Sequence, residues 1–319
     1  MKIIFALGRK RLKFKKSFLT IGVFDGIHRG HRILIEQLVR RARALRGTSV
    51  VMTFWPHPIH VLYPQMRCPL LTSLPQRLEL IEELGVQACV VIPFTKTFSR
   101  LSAQRFIQEY IVQNIQPQEI ILGDDFRFGQ NRQGDLGLLK AFAKRHGFRV
   151  RIIKAIQKDQ RRISSSRIRA LIARGKLLKA RRLLGHCASL WGRVIKGDAR
   201  GKRLGFPTAN IQTDHAVFVP HGVYLVWVTI GKTRHQGIAN IGLRPSFPKT
   251  KRNPTLEVHI LDFHRGIYGQ GVIVELIKKL RNERKFSSSK ELVAQIERDE
   301  KRAREYFQKR KAPLKKHPR

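Results

Sequence analysis

A short apolar segment, followed by a glycine turn and two closely spaced histidines, most constrains how this chain folds. The segment covers residues 19–24, Gly26 lies in the turn, and His28 and His31 lead into an amphipathic stretch over residues 31–45. This order predicts a strand, a tight loop and a helix, with both histidines on the first helical turn. Residues three apart on a helix share a face, so both imidazoles are expected to point towards one ligand.

The beginning of this predicted helix is also a favourable position for an anion. Unpaired backbone N–H groups and the positive end of the helix dipole together stabilise a phosphate. Gly26 and Gly30 have no side chains, which lets the backbone approach that phosphate closely. The segment therefore predicts catalysis on a nucleoside triphosphate by charge stabilisation, without a covalent intermediate.

Strands and helices alternate through the first half of the chain. Such alternation predicts βαβ units and a parallel sheet with helices on both faces, with the ligand at the carboxyl ends of the strands. The segment 123–129, with two adjacent aspartates, follows one of these strands, as the histidine segment follows another. The predicted strands are 19–24, 49–54, 88–93, 119–122 and 148–153, and the predicted helices are 31–45, 76–84, 103–115 and 135–145.

The pattern changes after residue 160. Two short helices are followed by strands separated by glycine turns, which predicts a small antiparallel barrel or sandwich closed by one long helix. We place a domain boundary near residue 185, giving domains 1–185 and 186–308 and a basic, disordered tail at 309–319. The predicted helices are 165–174, 177–184 and 288–307, and the predicted strands are 190–196, 222–230, 234–241, 255–262 and 272–277.

Composition excludes several classes of protein. No run of eighteen apolar residues exists, and the N-terminus lacks a signal-peptide cleavage site, so neither a membrane span nor secretion is expected. The three cysteines are far apart, which indicates a reducing compartment and a cytoplasmic protein. The net charge of +42 raises the question of nucleic acid, but the basic residues are spread along the chain, so no dedicated nucleic-acid partner is expected.

Six motifs in matching order resemble the bacterial bifunctional riboflavin kinase/FMN adenylyltransferase (FAD synthetase) family. Its adenylyltransferase half is similar to FDGIHRGH at 24–31, GDDFRFG at 123–129 and RISSSRIR at 162–169. Its riboflavin kinase half is similar to GKRLGFPTAN at 201–210, GIANIGLRPSF at 237–247 and LEVH at 256–259. The resemblance implies a Rossmann-like α/β nucleotidyltransferase domain, then a small antiparallel β-barrel kinase domain with a C-terminal helix.

The resemblance implies that the first domain adenylylates FMN with ATP to give FAD and pyrophosphate. His28 and His31 are then catalytic, because their N–H groups stabilise the departing pyrophosphate. Read alone, the serine and arginine run near residue 165 is also compatible with an ordinary helix cap followed by solvent-facing arginines, which is the weaker of the two interpretations. The implied flavin ligands are Asp125, Phe126 and Phe128, and the implied ATP and phosphate ligands are Gly22, Phe24, Asp25, Gly26, Gly30, Ser164, Ser165, Ser166, Arg167 and Arg169.

The second domain is implied to phosphorylate riboflavin with ATP. Glu257 is the expected base, although strand alternation alone would make it an ordinary outward-facing carboxylate. Thr208 and Asn210 are the expected Mg²⁺ ligands, since neutral oxygens suit a hard cation on phosphates. The resemblance also implies flavin binding by Arg281 and phosphate covering by Gly201 and Lys202.

Two departures from the family pattern leave alternatives open. Trp55 stands where family members often carry an acidic residue, and Gly266 stands where an aspartate is common. An enzyme with one decayed domain therefore remains a rival, as do a class I aminoacyl-tRNA synthetase and a basic nucleic-acid-binding protein on this scaffold. The expected partners are ATP, riboflavin and FMN, and nothing in the sequence indicates an oligomeric state.

Overall fold

The computed structural model describes residues 1–5, 12, 14–66, 68–158, 161–197, 201, 204–213, 218–242 and 255–309. These residues form two compact units. The first contains Met1–Cys68 and Leu74–Ser165, and the second contains Pro69–Ser73 and the chain from Ser166 onward. The predicted functional boundary near residue 185 stays a prediction, and the predicted tail from residue 310 onward lies outside the described residues.

The first unit is a six-stranded parallel sheet with helices between its strands, which confirms the predicted Rossmann-like class. The sheet order is β1-β4-β3-β2-β5-β6. Its strands are β1 (Lys2–Phe5), β2 (Ser17–Ile21), β3 (Thr48–Trp55), β4 (Ala88–Pro93), β5 (Pro117–Gly123) and β6 (Arg149–Ile153). Its helices are α1 (Arg29–Ala44), α2 (Pro58–Leu62), α3 (Leu74–Glu82), α4 (Lys96–Ser99), α5 (Ala103–Phe106) and α6 (Leu136–His146), and a two-stranded ribbon consists of β7 (Gln157–Lys158) and β8 (Arg161–Arg162).

The sheet order explains where a ligand binds in this unit. From β2 the chain adds β3 and β4 on one side, and it then crosses to add β5 and β6 on the other side. The carboxyl ends of β2 and β5 therefore border the point where the winding direction reverses, which is the binding crevice of open α/β sheets. The histidine loop follows β2 and the paired aspartates follow β5, so both motifs lie at this crevice.

Several elements of the first unit differ from the sequence-based expectation, among them the short helices α2 and α4 and the β7–β8 ribbon, which were not predicted. Lys2–Phe5 is an additional edge strand, which pairs with β4. The predicted helix 103–115 is α-helical only to Phe106 and continues as a π-helix over Ile107–Ile115. The first strand ends at Ile21 rather than residue 24, because the backbone turns at Gly22 and takes a positive φ at Phe24.

The second unit is a closed six-stranded antiparallel barrel in the order β10-β13-β12-β11-β14-β9, so a barrel is confirmed over a sandwich. Residues 207–210 alone predict a turn, but Ala209 begins a strand that closes the barrel. The strands are β9 (Ala188–Ile195), β10 (Ala209–Thr213), β11 (Gly222–Ile230), β12 (Thr233–Gly242), β13 (Thr255–Ile260) and β14 (Gly271–Arg281), and the helices are α7 (Ser165–Ala173), α8 (Leu177–Leu184) and α9 (Ser289–Gln308).

The long helix α9 covers one side of the barrel, as the sequence predicts. Ala303 and Phe307 on α9 pack in one buried cluster with outward-facing barrel residues such as Val223 and Ile238. Ser288 caps the helix by accepting a hydrogen bond from the backbone N–H of Glu291. In the part of the chain that the structure describes, no helix is both long and apolar enough to cross a membrane.

Candidate active sites

The loop between β2 and α1 is held by two buried side chains. Phe24 and Ile27 have positive φ angles of 52° and 36°, and Gly26, with φ of 84°, completes the turn. A positive φ is unfavourable for a side chain as large as Phe or Ile, so packing must stabilise it. Phe24 is 2% exposed and Ile27 is fully buried in the core beside the sheet. This packing determines where the loop delivers the next residue, His28.

His28 is the N-cap of α1 rather than a residue of its first turn, which corrects the sequence-based placement. Its Nδ1 accepts a hydrogen bond from the backbone N–H of His31 at 3.3 Å. A neutral imidazole whose Nδ1 is an acceptor carries its proton on Nε2. The cap therefore selects the His28 tautomer that has an N–H to offer a ligand.

The two imidazoles stack on each other. Their ring centroids are 3.5 Å apart and their planes differ by 18°. Phe24 supports this pair, because its ring meets the His31 ring edge-on with centroids 5.2 Å apart. Gly30 leaves room for the stack, since a Cβ at this position would lie 3.2 Å from the His28 ring. The predicted catalytic pair is thus one rigid unit.

Both histidines are held neutral. Burial lowers the pKa of His28 to about 4, and Arg162 lowers it further, while a backbone hydrogen bond and the carboxylates of Asp25 and Asp125 oppose the shift. The pKa of His31 lies well below its ordinary value, first because its ring is removed from water and then because His28 and Arg77 repel a further positive charge. The pair therefore contributes N–H donors and no full charge near neutral pH.

The pKa of His28 predicts acid destabilisation of the first unit. The unfolded chain protonates His28 near pH 6.5 and the folded chain only near pH 4. The free energy of unfolding should therefore fall as the pH decreases from 6.5 to 4, by about 3 kcal/mol from this group. Pulse proteolysis of the first unit in urea at each pH measures this loss. His28→Asn keeps a capping side chain and should remove the share of the loss that comes from His28, leaving the share from His31. His146→Asn, on an exposed helix end, should leave the pH dependence unchanged.

Arg77 on α3 is a buried cation that was not among the predicted site residues. Its side chain is fully buried, its Nη1 donates to the carbonyl of Phe54 at 3.3 Å, and its Nη2 lies 4.0 Å from Oδ1 of Asp25. The guanidinium also lies 5.8 Å from the centre of the Trp55 ring. Arg77 thus connects the carboxyl end of β3 with the histidine loop, and the unusual Trp55 is part of that connection.

A sequence signal for Arg77 exists, although it is weak. Leu74, Leu78 and Ile81 form the buried face of α3, and helical spacing places Arg77 on the same face. A single basic residue on an apolar face indicates a buried charge that needs a partner. Nothing in the sequence names Asp25 as that partner.

The aspartates after β5 are joined to Arg162. The guanidinium of Arg162 contacts Oδ1 of both Asp124 and Asp125. Asp124 Oδ2 also accepts from the backbone N–H of Ala155 at 3.1 Å, so Asp124 supports the turn. The Asp125 side chain is 60% exposed and free to meet a ligand on its solvent side. Arg162 begins the third sequence motif, but it was not among the predicted site residues.

The two predicted flavin-binding phenylalanines differ in their surroundings. The rings of Phe126 and Phe128 stack with centroids 5.3 Å apart. Phe128 is only 8% exposed and belongs to the core cluster of the first unit, where it also packs against Phe106. Phe126 is half-buried at the edge of that cluster. Direct contact of either ring with flavin stays a prediction.

The serine run divides between the two units. Ser165 begins α7, and its hydroxyl donates to the backbone carbonyl of Asp25 at 2.9 Å, which ties this helix start to the histidine loop. Ser164 lies just before it in the same unit. Ser166, Arg167 and Arg169 belong to the second unit, where Nε of Arg169 donates to the carbonyl of Pro69 at 2.7 Å. The predicted triphosphate role of these residues stays a prediction.

In the barrel, strand register places Glu257 beside Asn210. The two residues are direct partners in the antiparallel pairing of β13 and β10. Leu256 and Val258 on either side of Glu257 are each 1% exposed, so alternation turns Glu257 outward from the barrel core. Directly opposed side chains have Cβ atoms about 5 Å apart. The carboxylate of Glu257 and the amide of Asn210, whose oxygen is a predicted metal ligand, are thereby brought together from distant motifs.

Two glycines that precede β10, Gly197 and Gly201, pack tightly against Asn210 and Thr208. A Cβ on Gly197 would collide with the Asn210 amide, and a Cβ on Gly201 would lie 2.9 Å from the Thr208 hydroxyl. The backbone N–H of Phe206 donates to the Gly201 carbonyl at 2.8 Å, which closes the loop. Glycines are thus required here so that the backbone can cover the two predicted metal ligands. Lys202, predicted to act in the same loop, lies outside the described residues.

His259, two positions after Glu257, holds the same loop from β13. Its ring nitrogen Nδ1 donates a hydrogen bond to the backbone carbonyl of Pro207 at 2.8 Å, and its ring meets the Phe206 ring edge-on. His259 is the last residue of the sixth sequence motif and was not among the predicted site residues. Only the fold shows that it anchors the segment carrying Thr208.

Arg281 is fixed by helix α9. Its Nε donates to Oδ2 of Asp299 at 2.8 Å, and Asp299 in turn accepts from Gln295 at 3.0 Å. Asp299 is 2% exposed, so this ion pair is largely shielded from water. The guanidinium also lies 5.7 Å from the centre of the Phe286 ring. Its remaining N–H groups are therefore held in a defined direction.

Comparisons with known proteins find relatives of both parts of the chain. Residues 10–167 match the family model for FAD synthetase, and residues 184–307 match the family model for riboflavin kinase. The bifunctional riboflavin kinase/FMN adenylyltransferase of Escherichia coli K12 is 40% identical over 290 residues, covering 91% of this chain and 92% of that protein. The Bacillus subtilis protein described in the same words is 36% identical over 295 residues, covering 92% and 93%.

The solved structures include a relative over nearly the whole chain. A crystal structure described as a macrolide-efflux protein from Streptococcus pneumoniae superposes with a TM-score of 0.85 and 30% identity, covering 95% of this chain and 99% of that one. Identity and coverage of this extent show common membership, so the chain belongs to the family of bifunctional riboflavin kinase/FMN adenylyltransferases, with a FAD synthetase segment followed by a riboflavin kinase segment.

Proposed function

We propose that FMN adenylylation takes place at the histidine loop of the first unit. A phosphate oxygen of FMN attacks the α-phosphorus of ATP, the bond to the bridging oxygen breaks, and pyrophosphate leaves. Nε2–H of His28 and the neutral ring of His31 donate hydrogen bonds to the phosphates as negative charge grows on the leaving group. The start of α1 adds backbone N–H groups at the same place.

Riboflavin phosphorylation is assigned to the outer face of the barrel. The Glu257 carboxylate accepts the proton of the terminal ribityl hydroxyl while that oxygen attacks the γ-phosphorus of ATP, and ADP leaves. Arg281, held by Asp299, binds the flavin end of the substrate. The observation that supports this assignment is the direct pairing of Glu257 with Asn210 across β13 and β10.

The donor set around Asn210 fits Mg²⁺. Thr208 and Asn210 supply neutral oxygens and Glu257 lies opposite Asn210, and such hard oxygen ligands suit a small divalent cation bound mainly through phosphates. When bound, Mg²⁺ neutralises charge on the ATP phosphates. Thr208 and Asn210 hold and orient the nucleotide, and Gly197 and Gly201, which pack against them, limit access of water.

Magnesium titration tests this assignment on the full-length protein. Thr208→Val replaces the hydroxyl with a methyl of similar size, and Thr208→Ser retains it. We expect Thr208→Val to raise the Mg²⁺ concentration needed for half-maximal riboflavin phosphorylation by about tenfold, as for loss of one charge-assisted contact. FMN adenylylation by the same sample should keep its wild-type Mg²⁺ dependence. An unchanged kinase titration in Thr208→Val and Asn210→Ala would exclude this metal site.

The remaining assignments follow from the two reactions. The domains act as modules divided near residue 185, and the partners are ATP, riboflavin and FMN rather than nucleic acid or membrane. The charge of +42 would raise the local concentration of the two anionic substrates, ATP and FMN. A cytoplasmic location agrees with Cys68, Cys89 and Cys187 all being free thiols.

A further inference from the structure

One line of residues crosses five neighbouring strands on the outside of the barrel. The register pairs β10 with β13, β13 with β12, β12 with β11, and β11 with β14. Following directly opposed partners from strand to strand gives the line Asn210, Glu257, Asn240, Val223 and Arg281. The line therefore begins at the predicted metal ligand, passes the predicted base and ends at the predicted flavin ligand.

Asn240 lies on the same face as Glu257. Its neighbours Ala239 and Ile241 are fully buried inside the barrel, so alternation turns the Asn240 side chain outward. Val223, the next residue in the line, is also directed outward, because it packs with Ala303 of α9. Asn240 is thus the polar residue between the base and the apolar patch beneath α9.

The spacing between neighbouring residues of the line suits the end of the substrate chain. Adjacent strands are about 4.8 Å apart, so Asn240 lies about 5 Å from Glu257. A five-carbon ribityl chain extends about 6 Å when each carbon–carbon bond is about 1.5 Å long. With the terminal hydroxyl at Glu257, the inner hydroxyls of the chain come within reach of Asn240.

The chemistry of Asn240 suits this position. Asparagine is disfavoured in the middle of a strand that is paired on both sides, and here it interrupts a run of small and aliphatic residues. Its amide is half-buried and makes no side-chain hydrogen bond within the described part of the chain. An amide offers two donors and an acceptor, which is what a polyol requires.

We propose that Asn240 determines substrate specificity by hydrogen-bonding the inner hydroxyls of the ribityl chain. This inference rests on the proposed kinase site, since it uses Glu257 to position the terminal hydroxyl of riboflavin. The recognised chemical class is a flavin with a polyhydroxylated chain, in contrast to one whose chain carries only the terminal hydroxyl.

A substrate pair tests the proposal on the full-length protein. Riboflavin is compared with a flavin whose ribityl chain is replaced by a hydroxypentyl chain, which keeps the terminal hydroxyl and lacks the inner ones. Where the analogue turns over too slowly, its inhibition constant is measured instead. Asn240→Ala should lower kcat/KM for riboflavin by about 10- to 100-fold. For the analogue, kcat/KM or the inhibition constant should barely change. Asn240→Ser should recover part of the loss, because a hydroxyl restores a donor and an acceptor.

Gln236→Ala is the matched control. Gln236 carries an amide on the same face of β12, four residues from Asn240. Its replacement by alanine should leave kcat/KM for both flavins unchanged. Equal losses on both substrates in Asn240→Ala, or no loss on either, would overturn the proposal, as would a wild-type enzyme that does not distinguish the two flavins. The proposed kinase site fails separately, if Glu257→Gln retains turnover of riboflavin.

Discussion

Glu257→Gln is expected to lower kcat for riboflavin phosphorylation by about a thousandfold, the effect of removing a general base. Gln keeps the size of the side chain and an oxygen, but it cannot accept the proton of the ribityl hydroxyl. The KM for riboflavin should change little, because Arg281 and the flavin ring system are untouched. Chromatographic separation of riboflavin, FMN and FAD over time measures the loss.

The same chain provides the control for this prediction. FMN adenylylation should continue at the wild-type rate in Glu257→Gln, because the histidine loop belongs to the other unit. Glu275→Gln removes another carboxylate from the barrel, one that pairs with Arg234 on the surface, and it should retain kinase activity. Comparable kinase losses in Glu257→Gln and Glu275→Gln would show that Glu257 acts only through barrel stability.

Replacing the stacked histidines is expected to have the opposite effect. His31→Ala should lower kcat for FMN adenylylation by about 100- to 1,000-fold, as for loss of one preorganised donor to developing charge. Riboflavin phosphorylation should stay at the wild-type rate. Adenylylation is assayed from FMN, so that the result does not depend on the kinase step.

His28 needs a second variant because it also caps α1. His28→Ala removes the cap, which costs about 1 kcal/mol of stability, in addition to the phosphate donor. His28→Asn restores a capping oxygen but is too short to place a donor where Nε2 lies. Equal and large losses of activity in both variants, with normal thermal unfolding of His28→Asn, would establish the donor role. Full activity of His28→Asn would show that His28 acts only as a helix cap.

Local patterns in the sequence predicted most of the elements. Apolar residues at strand or helix spacing placed β4 and α8 at their observed bounds and α1 within two residues at its beginning. Such elements depend on which face of a short segment is apolar, and the order of consecutive residues determines that face. Residues 209–213 have too little apolar alternation to predict β10, and only pairing with two neighbouring strands makes them a strand.

The sequence by itself determined the order of two modules and the residue types that can carry each reaction, because motif spacing and periodicity are properties of the chain. The tertiary structure alone decided the partners of those residues. Three contacts join segments that are separated in sequence: Arg77 with Asp25, Arg281 with Asp299, and Asn240 with Glu257. Such contacts depend on strand register and helix packing. Shifting a strand by one residue would turn its side chains to the other face of the sheet and break these contacts.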